Sequence, residues 1–313
     1  MGTLKAFALL LTAGLLVACT TPFDIQAHRG GRGLAPENTL PAFTKAMSLG
    51  VTTLELDVGV SADDQLVIAH DPRINPNLSR DSNGQYLISM GPSLRSLSYA
   101  EIQQYDVGRL KPGTSYAAQY PAQESFDGTV MPRLVDLFAM VKARGDRRVR
   151  FNIETKLRPD RPEETADPET FVRLLLNAIT QFELEGRVSI QSFDWRTLKL
   201  VQALAPAIST VYLSVQLASF NNIVNPAGPS WTVDQSLESA GSVPKMVKQA
   251  GGSVWSPYYL DLTPDTLREA KVLGLKVVPW TINDPNEMRR LHAMGLDGMI
   301  TDRPDILIKL LKE

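Results

Sequence analysis

Val58-Gly59-Val60-Ser61-Ala62-Asp63-Asp64-Gln65-Leu66-Val67-Ile68-Ala69-His70 is the stretch that decides the fold. Two apolar runs are separated only by Ser61–Gln65. A parallel crossover needs a dozen or more residues, so this connection is a hairpin and Leu66–His70 runs antiparallel to the strand before it. It is an appendage that brings His70 back toward that strand. Setting it aside leaves eight strand candidates: Ile25–His28, Thr53–Val58, Arg150–Lys156, Val188–Phe193, Thr210–Val215, Ser253–Ser256, Lys276–Thr281 and Gly298–Thr301. Each is followed by a helix signal. Eight βα units are the count of a (β/α)₈ barrel, an α/β fold of about 250 residues or more.

The helix signals are specific. Pro41–Leu49 stops at Gly50, and Arg133–Arg144 stops at Gly145. Asp167–Phe182 puts Phe171, Leu174, Leu175 and Ile179 on one face. Asp194 reads as the cap of a helix running through Leu204. Thr263-Pro264 and Asp284-Pro285 each set a cap before a proline at the first helical position, with Gly274 and Gly295 closing those helices. Residues Pro72 to about Met131 break the alternation and are too long for a bare loop, so they read as a folded insertion on the active-site side. Ser98-Tyr99-Ala100-Glu101 inside it resembles a capping box.

Bulk properties narrow the function. Of 313 residues, 43% are hydrophobic, which is enough for a large core, and the formal charge of −2 argues against a general nucleic-acid binder. The apolar run Ala6–Val17 is too short to span a bilayer and reads as a signal-peptide core. It leads into Leu16-Val17-Ala18-Cys19, which resembles a bacterial lipobox, and Cys19 is the single cysteine. The expected organisation is a signal peptide over 1–18, a tether over 19–23, and the barrel over 24–313. Lipidation of Cys19 would anchor the chain to a membrane in the bacterial cell envelope. Thr20, rather than Asp, after Cys19 points to the periplasmic face of an outer membrane.

The chemistry gathers at strand ends. The chain holds three histidines. His28 ends the first strand beside Arg29 and a glycine-rich turn, and His70 ends the hairpin. The third, His292, lies within a helix and is read as structural. Glu55 and Asp57 are two apart on one strand and so share a face, with Leu54, Leu56 and Val58 on the other. Glu154 and Lys156 repeat the spacing on the next barrel strand. Three carboxylates converging on one barrel mouth suit a hard cation, Ca²⁺ or Mg²⁺. The same carboxylates are also consistent with buried ion pairs to Lys156 and Arg29. With a cation, two imidazoles would serve as acid and base in phosphoryl transfer, and Arg29 and Lys156 would hold phosphate oxygens.

His28-Arg29-Gly30 with Pro36-Glu37-Asn38-Thr39, Glu55-Leu56-Asp57-Val58, His70-Asp71, Ile153-Glu154-Thr155-Lys156, Ser192-Phe193, Trp280-Thr281-Ile282-Asn283 and Thr301-Asp302-Arg303-Pro304 together resemble the glycerophosphodiester phosphodiesterases. The resemblance runs from about Ile25 to the C-terminus. It implies a barrel like that of phosphatidylinositol-specific phospholipases C, and hydrolysis of a small glycerophosphodiester to sn-glycerol 3-phosphate and an alcohol. It implies His28 and His70 as the acid–base pair, Glu55, Asp57 and Glu154 as ligands of one divalent cation, Arg29 and Lys156 as phosphate contacts, and Phe193 and Trp280 as apolar walls on the glycerol side. Two departures stand out. Gly31-Arg32 changes the spacing before Pro36, and Gln191 stands where a second serine is frequent; neither is expected to touch the chemistry. The rival readings are a lysophospholipase D or sphingomyelinase D-like activity, and a surface-binding lipoprotein without catalysis.

Overall fold

The computed structural model describes residues 23–224 and 230–313. The expected signal peptide and the lipid-attachment site at Cys19 lie outside them. Among the described residues nine strands form one sheet: β1 (Asp24–Ala27), β2 (Thr53–Val60), β3 (Leu66–Ile68), β4 (Arg150–Thr155), β5 (Val188–Ser192), β6 (Ser209–Ser214), β7 (Val254–Pro257), β8 (Lys276–Val277) and β9 (Gly298–Thr301). Eight are parallel, in the order β8-β7-β6-β5-β4-β2-β1-β9, and β3 pairs off this path with β2. The β2–β3 pairing is antiparallel, with Val58 opposite Ile68 and Val60 opposite Leu66, as the five-residue link requires.

The barrel closes between β8 and β9 by isolated backbone bonds rather than a ladder. Asp297 N–H donates to Val277 at 3.1 Å, Ile300 N–H to Pro279 at 3.0 Å, and Ile282 N–H to Ile300 at 3.0 Å. This corrects the expected strand Lys276–Thr281, which is regular only over two residues. Pro279 has no N–H to give to a ladder. His28 also shifts. It follows β1 in a single 3-10 turn, His28–Gly30, rather than ending the strand.

Eight principal helices cover the barrel: α1 (Leu40–Leu49), α2 (Leu134–Ala143), α3 (Pro168–Gln181), α4 (Trp195–Leu204), α5 (Val243–Gln249), α6 (Pro264–Val272), α7 (Pro285–Ala293) and α8 (Pro304–Leu310). The starts of α3, α4, α6 and α7 follow the caps expected from the sequence. The Asp167, Asp194, Thr263 and Asp284 side chains all cap backbone N–H groups. Leu54, Leu56 and Val58 face outward into the core with Phe43 of α1 and Leu137 and Phe138 of α2. Among the described residues no helix is long and apolar enough to cross a membrane.

The insertion after β3 packs a small core of Ile74, Leu94, Ile102 and Met131 against Val67 of β3. It contains one-turn helices Tyr99–Ile102, with the Ser98–Glu101 capping box formed, and Ser115–Ala118. It is tied to the β1–α1 loop: Glu124 N–H donates to Leu34 at 3.0 Å, and the Gln123 amide to Arg32 carbonyl at 2.7 Å.

The turn after β1 depends on glycine. Gly30 has φ +77°, and a Cβ there would lie 2.9 Å from the Phe43 ring. Gly30→Ala therefore combines backbone strain with overpacking and is expected to destabilise the fold by about 1–3 kcal/mol. Urea denaturation reads this directly; an unchanged midpoint would contradict it.

Candidate active site

Alternation along the strands builds the site in layers. Inward-facing positions run Gln26 then His28, Thr53 then Glu55 then Asp57, Asn152 then Glu154 then Lys156, and Ser189 then Gln191 then Phe193. The upper members gather at the C-terminal end of the barrel, the end where βα loops build active sites in this fold. Oxygens of Glu55, Asp57 and Glu154 lie within 4.8 Å of one another, and all three residues are buried. Lys156 Nζ is 2.8 Å from Glu154 and 3.8 Å from Asp57. Arg29 Nε is 3.3 Å from Asp57 and has no hydrogen-bond partner, while its Nη1 donates to Glu37 at 2.6 Å.

Arg29 is a non-glycine residue in the left-handed region, at φ 52°. That conformation is costly for an L-residue. Here it turns the Arg29 N–H onto Glu55 Oε2 at 2.8 Å. Glu55 Oε1 accepts from the Gln191 amide at 2.6 Å. Asn38 donates to Asp57 at 3.0 Å.

Each candidate histidine is held through Nδ1 by a carboxylate. His28 Nδ1 lies 2.6 Å from Asp302, and His70 Nδ1 lies 3.0 Å from Asp71. Asp302 is itself fixed by Arg32 Nε at 2.7 Å and by the Asn283 amide at 2.7 Å. Asp71 accepts from Asn75 at 2.6 Å. With Nδ1–H given to the carboxylate, Nε2 of each ring is free to take or give a proton.

Burial and charge tune these groups. Burial lowers the His28 pKa to about 4, with Arg32 and Arg29 acting in the same direction and Asp302 against it. Burial also lowers His70, with Arg29 and Lys156 adding to the effect. Asp57 is held well below the usual carboxylate range: burial pushes it up, but His70, Arg29 and Lys156 outweigh that. Burial and the neighbouring Asp57 raise Glu55 well above its usual value. Glu154 is raised to about 7, chiefly by burial, with Lys156 opposing and Asp57 adding.

This chemistry fits a divalent cation. Glu55 is buried, yet only neutral N–H donors hydrogen-bond to it, so its charge is not met by a paired cation. Glu55, Asp57 and Glu154 offer three carboxyl groups beside two cationic side chains, Arg29 and Lys156, a set of hard oxygens that suits a divalent cation. Because a ligand carboxylate must be ionised, ion binding should release protons, and affinity should fall with falling pH as Glu55 and Glu154, both raised and Glu154 to about 7, take up protons in the free site. Calorimetric titration with Ca²⁺ and Mg²⁺ in buffers of different ionisation enthalpy measures this. A pH-independent affinity between 6 and 8 would contradict it.

All nine residues singled out around the barrel mouth occupy it. Phe193 and Trp280 pack edge-on at 5.4 Å, and Lys156 Nζ sits 5.9 Å from the Phe193 ring centroid. His292 lies on α7, edge-on to Phe23 at 5.0 Å. The structure corrects the expectation that Arg32 and Gln191 stand clear of the chemistry. Arg32 bonds the carboxylate behind His28, and Gln191 bonds Glu55. The sequence reading gave no role to Asp302, Asn283 or Tyr116. Tyr116, from the insertion, donates to Glu37, and Arg32 Nη1 donates to its hydroxyl at 3.2 Å. Asp302 was detectable as a carboxylate directly after the last strand. Tyr116 carried no periodic or motif signal.

A family model described as the glycerophosphoryl diester phosphodiesterase family matches residues 28–306. A glycerophosphodiester phosphodiesterase from Caldanaerobacter subterraneus subsp. tengcongensis is 30% identical over 92% of this chain and 98% of its own. A solved structure from Silicibacter pomeroyi, assigned as a glycerophosphoryl diester phosphodiesterase, has a TM-score of 0.82 at 34% identity, covering 93% of this chain and 94% of that one. An Oleispira antarctica phosphodiesterase, solved in complex with the product sn-glycerol-3-phosphate, shares the fold with a TM-score of 0.66 at 21% identity, over 93% and 97% of the two chains.

Proposed function

The chain belongs to the glycerophosphoryl diester phosphodiesterase family, and from that premise we propose that it hydrolyses glycerophosphodiesters to sn-glycerol 3-phosphate and an alcohol, with His28 and His70 as the proton-transfer pair. The observation that carries this reading is the pair of histidines, each backed through Nδ1 by a carboxylate, beside three buried acidic side chains. The product bound by the Oleispira antarctica phosphodiesterase is consistent with it.

We assign His28 as the base of the first step: burial favours its neutral form, and the Nδ1 contact with Asp302 leaves Nε2 as the proton acceptor. The substrate's glycerol 2-hydroxyl gives its proton to His28 as its oxygen bonds to phosphorus. The phosphorus–oxygen bond to the departing alcohol breaks, and that oxygen takes a proton from His70. Water then opens the cyclic phosphate, with the two histidines exchanging roles. Ca²⁺ or Mg²⁺ held by Glu55, Asp57 and Glu154 would supply Lewis-acid polarisation of the phosphate oxygens. Lys156 and Arg29 add positive charge beside them. Direct attack by water is the competing route; a cyclic glycerol phosphate trapped in a single turnover selects the first, and its absence selects the second.

One observation favours a wider substrate range. The aromatic wall does not stop at the pocket. Phe193 meets Phe220 at 5.4 Å, Trp280 meets Tyr258 at 5.4 Å, and Phe220, Leu217 and Leu260 on the same rim are exposed. That rim suits the acyl chain of a lysophospholipid, and so a lysophospholipase D activity. Product analysis on glycerophosphocholine and lysophosphatidylcholine tests both readings. Release of sn-glycerol 3-phosphate from the first is expected; turnover of neither substrate would overturn the assignment. We further propose that Cys19 carries a lipid that holds the enzyme at the envelope membrane. Cys19→Ser should then move it from the membrane to the soluble fraction.

A further inference from the structure

Below the acidic cluster the barrel interior holds a chain of amides. The Gln191 amide donates to Glu55 Oε1 at 2.6 Å. Its own oxygen accepts from Asn152 Nδ2 at 2.9 Å. The same Asn152 nitrogen donates to Gln26 Oε1 at 2.9 Å, and Gln26 Nε2 donates to Asp24 Oδ2 at 2.9 Å. Ser189 Oγ donates to Asn152 Oδ1 at 2.9 Å. Gln26, Asn152 and Gln191 are all buried.

The direction of every bond in this chain follows from its ends. An ionised carboxylate, as a cation ligand must be, accepts and does not donate, so Glu55 and Asp24 in that state turn the NH₂ groups of Gln191 and Gln26 outward. Both amide oxygens then face Asn152, which satisfies them with the two hydrogens of one NH₂ group. Among the described residues no other group donates to these two oxygens. We propose that Gln191 is a positioning residue for the cation site, holding the Glu55 carboxylate in the orientation that binds the ion, and that Asn152, by presenting a donor and not an acceptor to the Gln191 oxygen, lets Gln191 keep its NH₂ on Glu55. This inference rests on the proposed role of Glu55 as a cation ligand. Partners of this kind orient ligands, and losing one typically costs about 10–100-fold in metal affinity.

The test separates orientation from packing. Asn152→Asp is isosteric but replaces the donor with an acceptor. Gln191 would flip to donate to it, bringing an oxygen against Glu55 Oε1. Asn152→Leu changes the shape more, yet leaves Gln191 free to keep its NH₂ on Glu55. Affinity for Ca²⁺ and Mg²⁺, measured by calorimetry on the folded protein without substrate, should fall about tenfold or more for Asn152→Asp and for Gln191→Met. It should fall much less for Asn152→Leu, and stay near wild type for Ser189→Ala. Wild-type or tighter binding by Asn152→Asp, which added negative charge alone would produce, overturns the proposal. So does a larger loss for Asn152→Leu than for Asn152→Asp, the order that packing predicts. If Asn152→Asp does not fold, Gln191→Met decides: unchanged affinity overturns the inference. If the wild-type protein binds neither ion, the cation reading itself fails, and this proposal with it.

Discussion

Replacing His28 by alanine is expected to slow hydrolysis of glycerophosphocholine by at least about 10²-fold while leaving the fold intact, since general acid–base catalysis contributes about 10²–10⁴. His28 sits on a short turn, and its ring is buried with one outside partner, Asp302, at 2.6 Å. Asp302→Asn should reproduce much of the loss without touching the ring. Oδ1 of Asp302 serves both His28 and Arg32, and Oδ2 accepts from Asn283. An NH₂ group at the first position faces the Arg32 donor and reverses the imidazole, moving its proton to Nε2 where the base is needed. At the second position it faces the Asn283 amide, whose own oxygen already accepts from Asp302 N–H at 2.9 Å. Either outcome costs the neutral base its geometry. We expect kcat to fall with little change in KM, and thermal unfolding to stay cooperative. Normal turnover by His28→Ala would remove that residue from the mechanism.

Removing the divalent cation should abolish activity and lower thermal stability. The acidic cluster is buried, with three carboxyl groups beside two cationic side chains, Arg29 and Lys156. A ligand that prefers the folded state stabilises it by about 2.7 kcal/mol at one hundred times its dissociation constant. For a domain of this size that is a shift in Tm on the order of 5 °C. Titrating Ca²⁺ or Mg²⁺ back should restore Tm and activity over the same concentration range. Glu154→Gln should blunt both responses. If chelator moves neither Tm nor rate, the carboxylates serve only as partners of Lys156 and Arg29.

Much of the barrel could be read from local rules. The five-residue link before Leu66 fixed the antiparallel appendage, and so the count of parallel strands, because a chain that short has no other geometry. The spacing of Glu55 with Asp57, and of Glu154 with Lys156, put each pair on one face by strand alternation. The same alternation places Gln26, Asn152 and Gln191 one layer lower, but amides advertise no chemistry until their partners are known. What escaped was set by distant contacts. Asp302 reaches His28 across 274 residues, and Tyr116 reaches Glu37 from an insertion without periodicity. Regular β8 ends at Val277, since Pro279 gives no N–H, and its carbonyl accepts one of the isolated bonds that close the barrel, from Ile300. The consequence of Arg32 and Gln191 was hidden because neither residue type signals catalysis until its partner is known.

The most direct test of the account follows glycerophosphocholine by phosphorus NMR with purified protein, in parallel with Ca²⁺, with Mg²⁺ and with excess chelator. sn-Glycerol 3-phosphate is expected as the final phosphorus product with at least one of the two ions, and none with chelator. Equal turnover in chelator, or phosphocholine as the product, would contradict it.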